Sequence, residues 1–362
     1  MKEEIKKLKS YVPEEPVAVV KERYGLDRLV RLSANENPFG TSPKVKEAVV
    51  NWTFSESNRY PDGYATKLRQ AVSELLGLPE EQLVFGVGLD EILELLSRTF
   101  LEKGDEILVA DPTFSEYALH AQIEGARVIK VPVKPTDGHY DFERALTKIS
   151  SKTKLIWLCN PNNPTGVYER SSQIAAFIKQ VPATCLVLID EAYIEYVTDE
   201  KPATSLELLN DYDNVAVLRT FSKVYGLANY RVGYIAMAPK LAEYMQTVRL
   251  PYNLNSVAQV AAEAALADQT FVADSVAKTV EGREYLEEFL TNKQIKHFHS
   301  QANFVYLKYP AALELAQKLL ENGYQVRTGL QLDWLRITIG ELADVKAICA
   351  LIDYKTGANL GF

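Results

Sequence analysis

Apolar positions in the middle of the chain fall into two alternating patterns. Short, nearly continuous apolar runs dominate residues 106–110, 154–159, 185–189, 215–218 and 232–237. Runs of this kind, without alternation, are expected of strands buried on both faces of a largely parallel sheet. Between them the spacing becomes helical. Ile92, Leu95, Leu96 and Thr99 share one face, as do Ile174, Phe177, Ile178 and Val181. Strand–helix alternation predicts an α/β fold with a large three-layer α/β/α domain around a mostly parallel sheet, spanning residues 33–250. After Pro251 the pattern changes to an alanine-rich helix, a charged helix and shorter strand-like runs at 302–307 and 334–339. This predicts a smaller α+β domain made of residues 251–362 and 1–32, the latter including an N-terminal arm. A length of 362 residues at roughly 150 per domain agrees with two units.

Composition narrows the function. Lys plus Arg number 40 and Asp plus Glu 48, a net charge of −8 without basic blocks. Such a chain is a poor match for a nucleic-acid backbone. Cys159, Cys185 and Cys349 lie far apart with no CxxC spacing, which disfavours a disulfide framework or a zinc cluster. The first ten residues lack the apolar centre of a secretory signal, and no run approaches the ~20 apolar residues of a membrane helix. The expectation is a soluble, globular, cytoplasmic protein of a reducing compartment, with neither nucleic acid nor membrane as partner.

Gly- and Pro-rich segments follow the predicted strands, where open α/β sheets bind ligands. Lys223, just beyond the run 215–218, is costly there unless its charge is paired or its pKa falls. Such a lysine can form a Schiff base with a carbonyl, and Ser222 and Arg231 suit a phosphate dianion. A solvated Ser-Lys turn is the plainer alternative. Residues 160–166 (NPNNPTG) make a rigid turn that orients Asn163, or else an ordinary loop. Asp190 ends a continuously apolar run and needs a cation, a metal or strong donors. Followed by Glu191 it also looks like the magnesium strand of a P-loop hydrolase, but no glycine in the chain is followed by lysine. Gly86 and Gly88 lead into a helix whose first N–H groups, near Leu89 and Asp90, can hold a phosphate. Glu91 stands where a dinucleotide fingerprint needs its third glycine. Arg336 and Thr338 alternate with apolar neighbours, so they face either solvent or a cleft. His297 and His299 lack a third ligand nearby and read as surface or satisfied histidines.

Taken in order, the glycine turn, the segment 111–117 (DPTFSEY), NPNNPTG, Asp190 to Tyr193 (DEAY) and Ser222-Lys223 with Arg231 resemble a fold-type-I pyridoxal-phosphate aminotransferase. The resemblance is to the histidinol-phosphate aminotransferase family and runs from about Tyr11 to Gly340, with further matches at 33–40, 59–63 and 335–340. It implies that Lys223 holds pyridoxal 5'-phosphate as a Schiff base and shuttles a proton. Asp190 would pair with the pyridine nitrogen, Tyr193 and Asn163 would donate to the phenolic oxygen, and Tyr117 (alternatively Phe114) would stack on the ring. Ser222, Arg231 and the backbone at Leu89 and Asp90 would hold the phosphate. Tyr60 would reach it from a second subunit, implying a homodimer with shared sites. Arg336 would bind the substrate carboxylate or phosphate, and Arg327, Tyr11 and Tyr252, with Asn163, would complete the substrate site.

The activity implied is transamination between L-histidinol phosphate and 2-oxoglutarate in histidine biosynthesis. An aromatic amino acid transaminase is the alternative, and a lyase or decarboxylase using the same cofactor a further one. A transaminase-like effector domain of a transcription regulator fits the acidic charge poorly. The chain departs from the family's usual wording at Leu89, at Asn229 and after Gly340. It also has Glu14-Glu15 where Gly-Lys is frequent, which puts two acids near the implied phosphate site.

Overall fold

In the computed structural model, residues 3–8, 14–52 and 56–358 are described, with side chains to Asp353. Tyr11 lies outside them. In chain order the strands are β1 (Val30–Leu32), β2 (Leu83–Val87), β3 (Glu106–Asp111), β4 (Arg127–Pro132), β5 (Thr153–Cys159), β6 (Leu186–Asp190), β7 (Val215–Thr220), β8 (Val232–Met237), β9 (Phe304–Lys308), β10 (Tyr324–Val326) and β11 (Trp334–Thr338). Seven of them form one sheet in the order β2-β8-β7-β6-β5-β3-β4. Only β8 runs against its neighbours; every other adjacent pair is parallel. Every residue of β6 and β8 is buried, which is why these strands read as unbroken apolar runs.

Helices cover both faces. Gly88–Phe100 buries Ile92, Leu93, Leu95 and Leu96 on one side, with Ile107, Leu155 and Leu188 of the sheet. On the other side Ile174, Phe177 and Ile178 of the helix Ser171–Ile178 meet Ile156, Val187 and Ile189. That second core continues past Pro251, where the residue pattern changes. Ala258, Ala261, Ala262 and Ala265 of the helix Ser256–Leu266 belong to it, small side chains that let a helix lie close.

A separate core gathers around β9 and β11, which pair antiparallel. Leu286 and Leu290 of the helix Gln269–Asn292, Leu315 and Leu319 of Ala312–Glu321, and Ile348 and Ile352 of Leu342–Ala358 pack there. β1 pairs in parallel with β10, Val30 opposite Tyr324, so the start of the chain returns to this part. Among the described residues no helix is long and apolar enough to cross a membrane.

Candidate active site

A cavity of about 340 Å³ opens at the carboxyl ends of β5, β6 and β7. Lys223, Asp190, Asn163, Tyr193, Arg231 and Arg336 all line it. Asp190 is the last residue of β6 and only 4% exposed. Its Oδ2 accepts from the Tyr117 hydroxyl at 2.6 Å and its Oδ1 from the Ala192 N–H at 3.1 Å. Burial pushes the carboxyl up to about 6, while these two donors and the Lys223 charge pull the other way.

Lys223 follows β7. Its Nζ donates to the Ala34 carbonyl at 3.3 Å and lies 5.7 Å from the centre of the Tyr193 ring. Burial, then the Arg336 charge, lowers its pKa to about 8. The Tyr193 hydroxyl accepts from Asn35 Nδ2 at 3.0 Å, and burial raises its pKa.

The glycine turn is tighter than its sequence suggests. β2 ends at Val87 and the helix begins at Gly88, with no loop between. Gly88 has φ +70°, and a Cβ there would sit 2.3 Å from Arg231 Nη2. Its N–H bonds to the Arg231 carbonyl at 3.0 Å. A Cβ on Gly233 would be 2.9 Å from the Leu89 nitrogen. The Arg231 guanidinium meets Asp90 Oδ2 at 2.9 Å, the Ala228 carbonyl at 3.2 Å and Ser222 Oγ at 3.5 Å. A helix N-terminus, a hydroxyl and a guanidinium thus converge, the donor set of an anion site.

Tyr117 lines the cavity, is 1% exposed and stacks one face on Trp157 at 4.4 Å and 8°, with its hydroxyl on Asp190. Phe114 also lines the cavity and meets Tyr117 edge-on at 5.6 Å. Arg336 faces no solvent. At 7% exposure it donates to Asn163 Oδ1 and to the Ser33 carbonyl, both at 2.5 Å, and lies over Phe304 at 5.2 Å. The polar face of β11 thus borders the cavity, where Arg336 meets residues at the ends of β5, β6 and β7.

Arg327 lines the cavity and forms an antiparallel bridge with Arg336. Tyr60 and Tyr252 stack on each other at 4.7 Å but do not line the cavity of their own chain, and Tyr60 is 81% exposed. His297 and His299 bond to the Ile295 carbonyl and to Glu287, away from the site.

Residue-by-residue reading missed Asn35. Its Nδ2 holds the Tyr193 hydroxyl, its side-chain and backbone groups meet Thr338 Oγ1, and its carbonyl accepts from Asn303. Its φ of +56° is a signal that asparagine tolerates better than most residues. Arg31 was also missed, while Glu14 was noted only as a departure from the family's wording.

A family model described as aminotransferase class I and II matches residues 27–352. The chain belongs to that family of enzymes. It is similar to the histidinol-phosphate aminotransferase of Limosilactobacillus fermentum, with 55% identity over 353 residues, 97% of this chain and 98% of the relative. The enzyme of the same name from Lactiplantibacillus plantarum is 51% identical, over 97% of this chain and 99% of its own. Among solved structures, histidinol-phosphate aminotransferase from Sinorhizobium meliloti, in complex with pyridoxal-5'-phosphate, superposes with a TM-score of 0.87. That match has 26% identity and covers 98% of both chains.

Proposed function

We propose that this chain transfers an amino group reversibly between L-histidinol phosphate and 2-oxoglutarate, using pyridoxal 5'-phosphate. The observation that carries this reading is one cavity shared by a lysine of lowered pKa, a buried carboxylate and the Arg231–Ser222 anion site. The residues fit the cofactor. A Cβ at Gly88 would fill the space beside Arg231 where its phosphate would be held, and Asp190 is an acid that burial disfavours until a cation joins it. When bound, the cofactor supplies an electron-withdrawing ring that stabilises negative charge at the substrate Cα.

Lys223 would hold the cofactor through its amine and, as a neutral amine, would take the proton from the substrate Cα. Asp190 keeps the ring nitrogen protonated, with Tyr117 fixing the carboxylate from below. Tyr193 and Asn163 would donate to the phenolic oxygen, and Tyr117 or Phe114, both lining the cavity, would offer an aromatic face to the ring. Arg336 offers a forked guanidinium to a substrate carboxylate. Arg327 would serve the phosphate of the donor, with Tyr11 in the same role and Tyr252, stacked on Tyr60, joining it from a second subunit. The exposed Tyr60–Tyr252 pair supports a homodimer in which Tyr60 reaches the other subunit's cofactor phosphate. We place the enzyme in the cytoplasm and treat the two cores as a large and a small domain with the site between them.

A panel of amino donors with 2-oxoglutarate tests the activity by glutamate formation. Histidinol phosphate is expected to give the highest kcat/KM. Phenylalanine or tyrosine better by about ten-fold, roughly 1.4 kcal/mol of transition-state binding, overturns the assignment in favour of an aromatic transaminase.

A further inference from the structure

The substrate side of the cavity already holds an anion of the chain's own. Glu14, just ahead of the helix Val17–Tyr24, lines the same cavity as Lys223 and Arg336. Its Oε2 accepts from Ser33 Oγ at 2.8 Å and stands 3.7 Å from Arg31 Nε. Its Oε1 stands 3.9 Å from Arg327 Nη1, and the side chain is 16% exposed. The two guanidinium distances are charge contacts, too long for hydrogen bonds. Arg31 Nε is buried and has no hydrogen-bond partner among the described residues. Two arginines and a hydroxyl therefore surround one loosely held carboxylate, a donor set suited to a phosphomonoester. Glu15 does not share this role, since its carboxylate pairs with Arg23 on the surface at 2.5 Å. Of the two acids that depart from the family's wording, one turns outward and one turns in.

We propose that Glu14 is a displaceable internal counter-anion. It occupies the Arg31–Arg327 pair in the place of a substrate phosphate, and withdraws when a phosphomonoester binds. This rests on the reading of the cavity as a transaminase site for a phosphorylated donor. A dianion and a carboxylate a few ångströms apart repel, so the phosphate must displace Glu14 or bind beside it at a cost. Glu14 thereby sets how strongly the site holds phosphate, and lowers the affinity that its arginines could otherwise reach. At the effective dielectric of a partly exposed site, a like charge at this range weakens binding by roughly three- to thirty-fold.

The test uses the cofactor-loaded enzyme, so that the cofactor's own phosphate site is filled. Wild type, Glu14→Gln and Glu14→Ala are compared in two measurements at fixed ionic strength: calorimetric Kd for inorganic phosphate, and KM and kcat for histidinol phosphate. Both variants are expected to bind inorganic phosphate roughly three- to thirty-fold more tightly. KM should fall with it, by a larger factor than any change in kcat. Adding Arg327→Ala to Glu14→Gln should erase the gain. A Kd that is unchanged or weaker in both variants overturns the proposal; a weaker one would make Glu14 an anchor that positions the arginines. If wild type does not turn over histidinol phosphate, the functional reading fails, and the phosphate Kd still decides the role of Glu14.

Discussion

An amine with a pKa of about 8 is half neutral at pH 8, where an exposed lysine is almost wholly charged. In the cofactor-free protein, labelling of Lys223 by an amine-directed reagent should therefore rise with pH about a midpoint near 8. Peptide mass spectrometry across a pH series reads this, and a midpoint near 10.5 contradicts the burial argument. Asp190 is displaced in the opposite sense. Its folded pKa of about 6 exceeds the ordinary 3.8, so the folded cofactor-free chain holds this proton longer than the unfolded one. Stability from this group is complete at low pH and is lost as pH rises from about 4 to about 6. Asp190→Asn should then stabilise the cofactor-free protein above pH 6, by up to about 3 kcal/mol, with no gain at low pH, while reducing turnover by orders of magnitude. Thermal melts over pH, paired with the amino-transfer assay, check both halves. Lys223 and Asp190 were legible because a charge at the end of an apolar strand demands a reason. The choice between Tyr117 and Phe114 was not, because the spacing in residues 111–117 does not tell which aromatic turns inward. The helix Ser115–Ile123 carries Tyr117 onto Trp157 and leaves Phe114 at its N-cap, beside the cavity.

At the scale of elements, the turn from β2 into the helix Gly88–Phe100 joins the sheet to the anion site. Gly88→Ala places a Cβ against the Arg231 guanidinium in a left-handed backbone, and both strains fall on that site. The expected result is a folded protein whose affinity for pyridoxal phosphate drops about ten-fold or more, read by fluorescence titration. Unchanged affinity would detach this turn from cofactor binding. β2 itself escaped the sequence because Gly86 and Gly88 look like a turn. Yet Gly86 lies inside the strand, where a Cβ would meet Ile92 Cγ1 at 2.7 Å. β4 escaped for another reason: it is an edge strand with only Val131 buried, so it carries no apolar run. The alternation in β11 was visible, but alternation cannot distinguish a face toward water from a face toward a second core.

For the whole molecule, the site depends on how the two cores are held together. Arg283, buried in the helix Gln269–Asn292, donates from Nη1 to the Tyr196 carbonyl at 3.0 Å and the Ala302 carbonyl at 3.1 Å, and from Nη2 to Thr198 Oγ1 at 3.2 Å. It thereby ties the loop after β6 to the segment before β9. Arg283→Met leaves two buried carbonyls without these donors, and should lower stability by about 2–4 kcal/mol in a denaturant melt. A loss below 1 kcal/mol would mean that those carbonyls find other partners. The α/β alternation, the sheet and the change of pattern at Pro251 were all readable in the chain. Packing of the helix Ser256–Leu266 into the large core was not, since alanines serve either side equally well.

The central claim is that Lys223 is the residue to which the cofactor is attached. Borohydride reduction of the pyridoxal-phosphate-loaded protein, followed by peptide mapping, tests it most directly. The cofactor's mass is expected on the peptide containing Lys223 and on no other. A reduced adduct on a different lysine, or none at all from protein that retains its fold, would contradict the account.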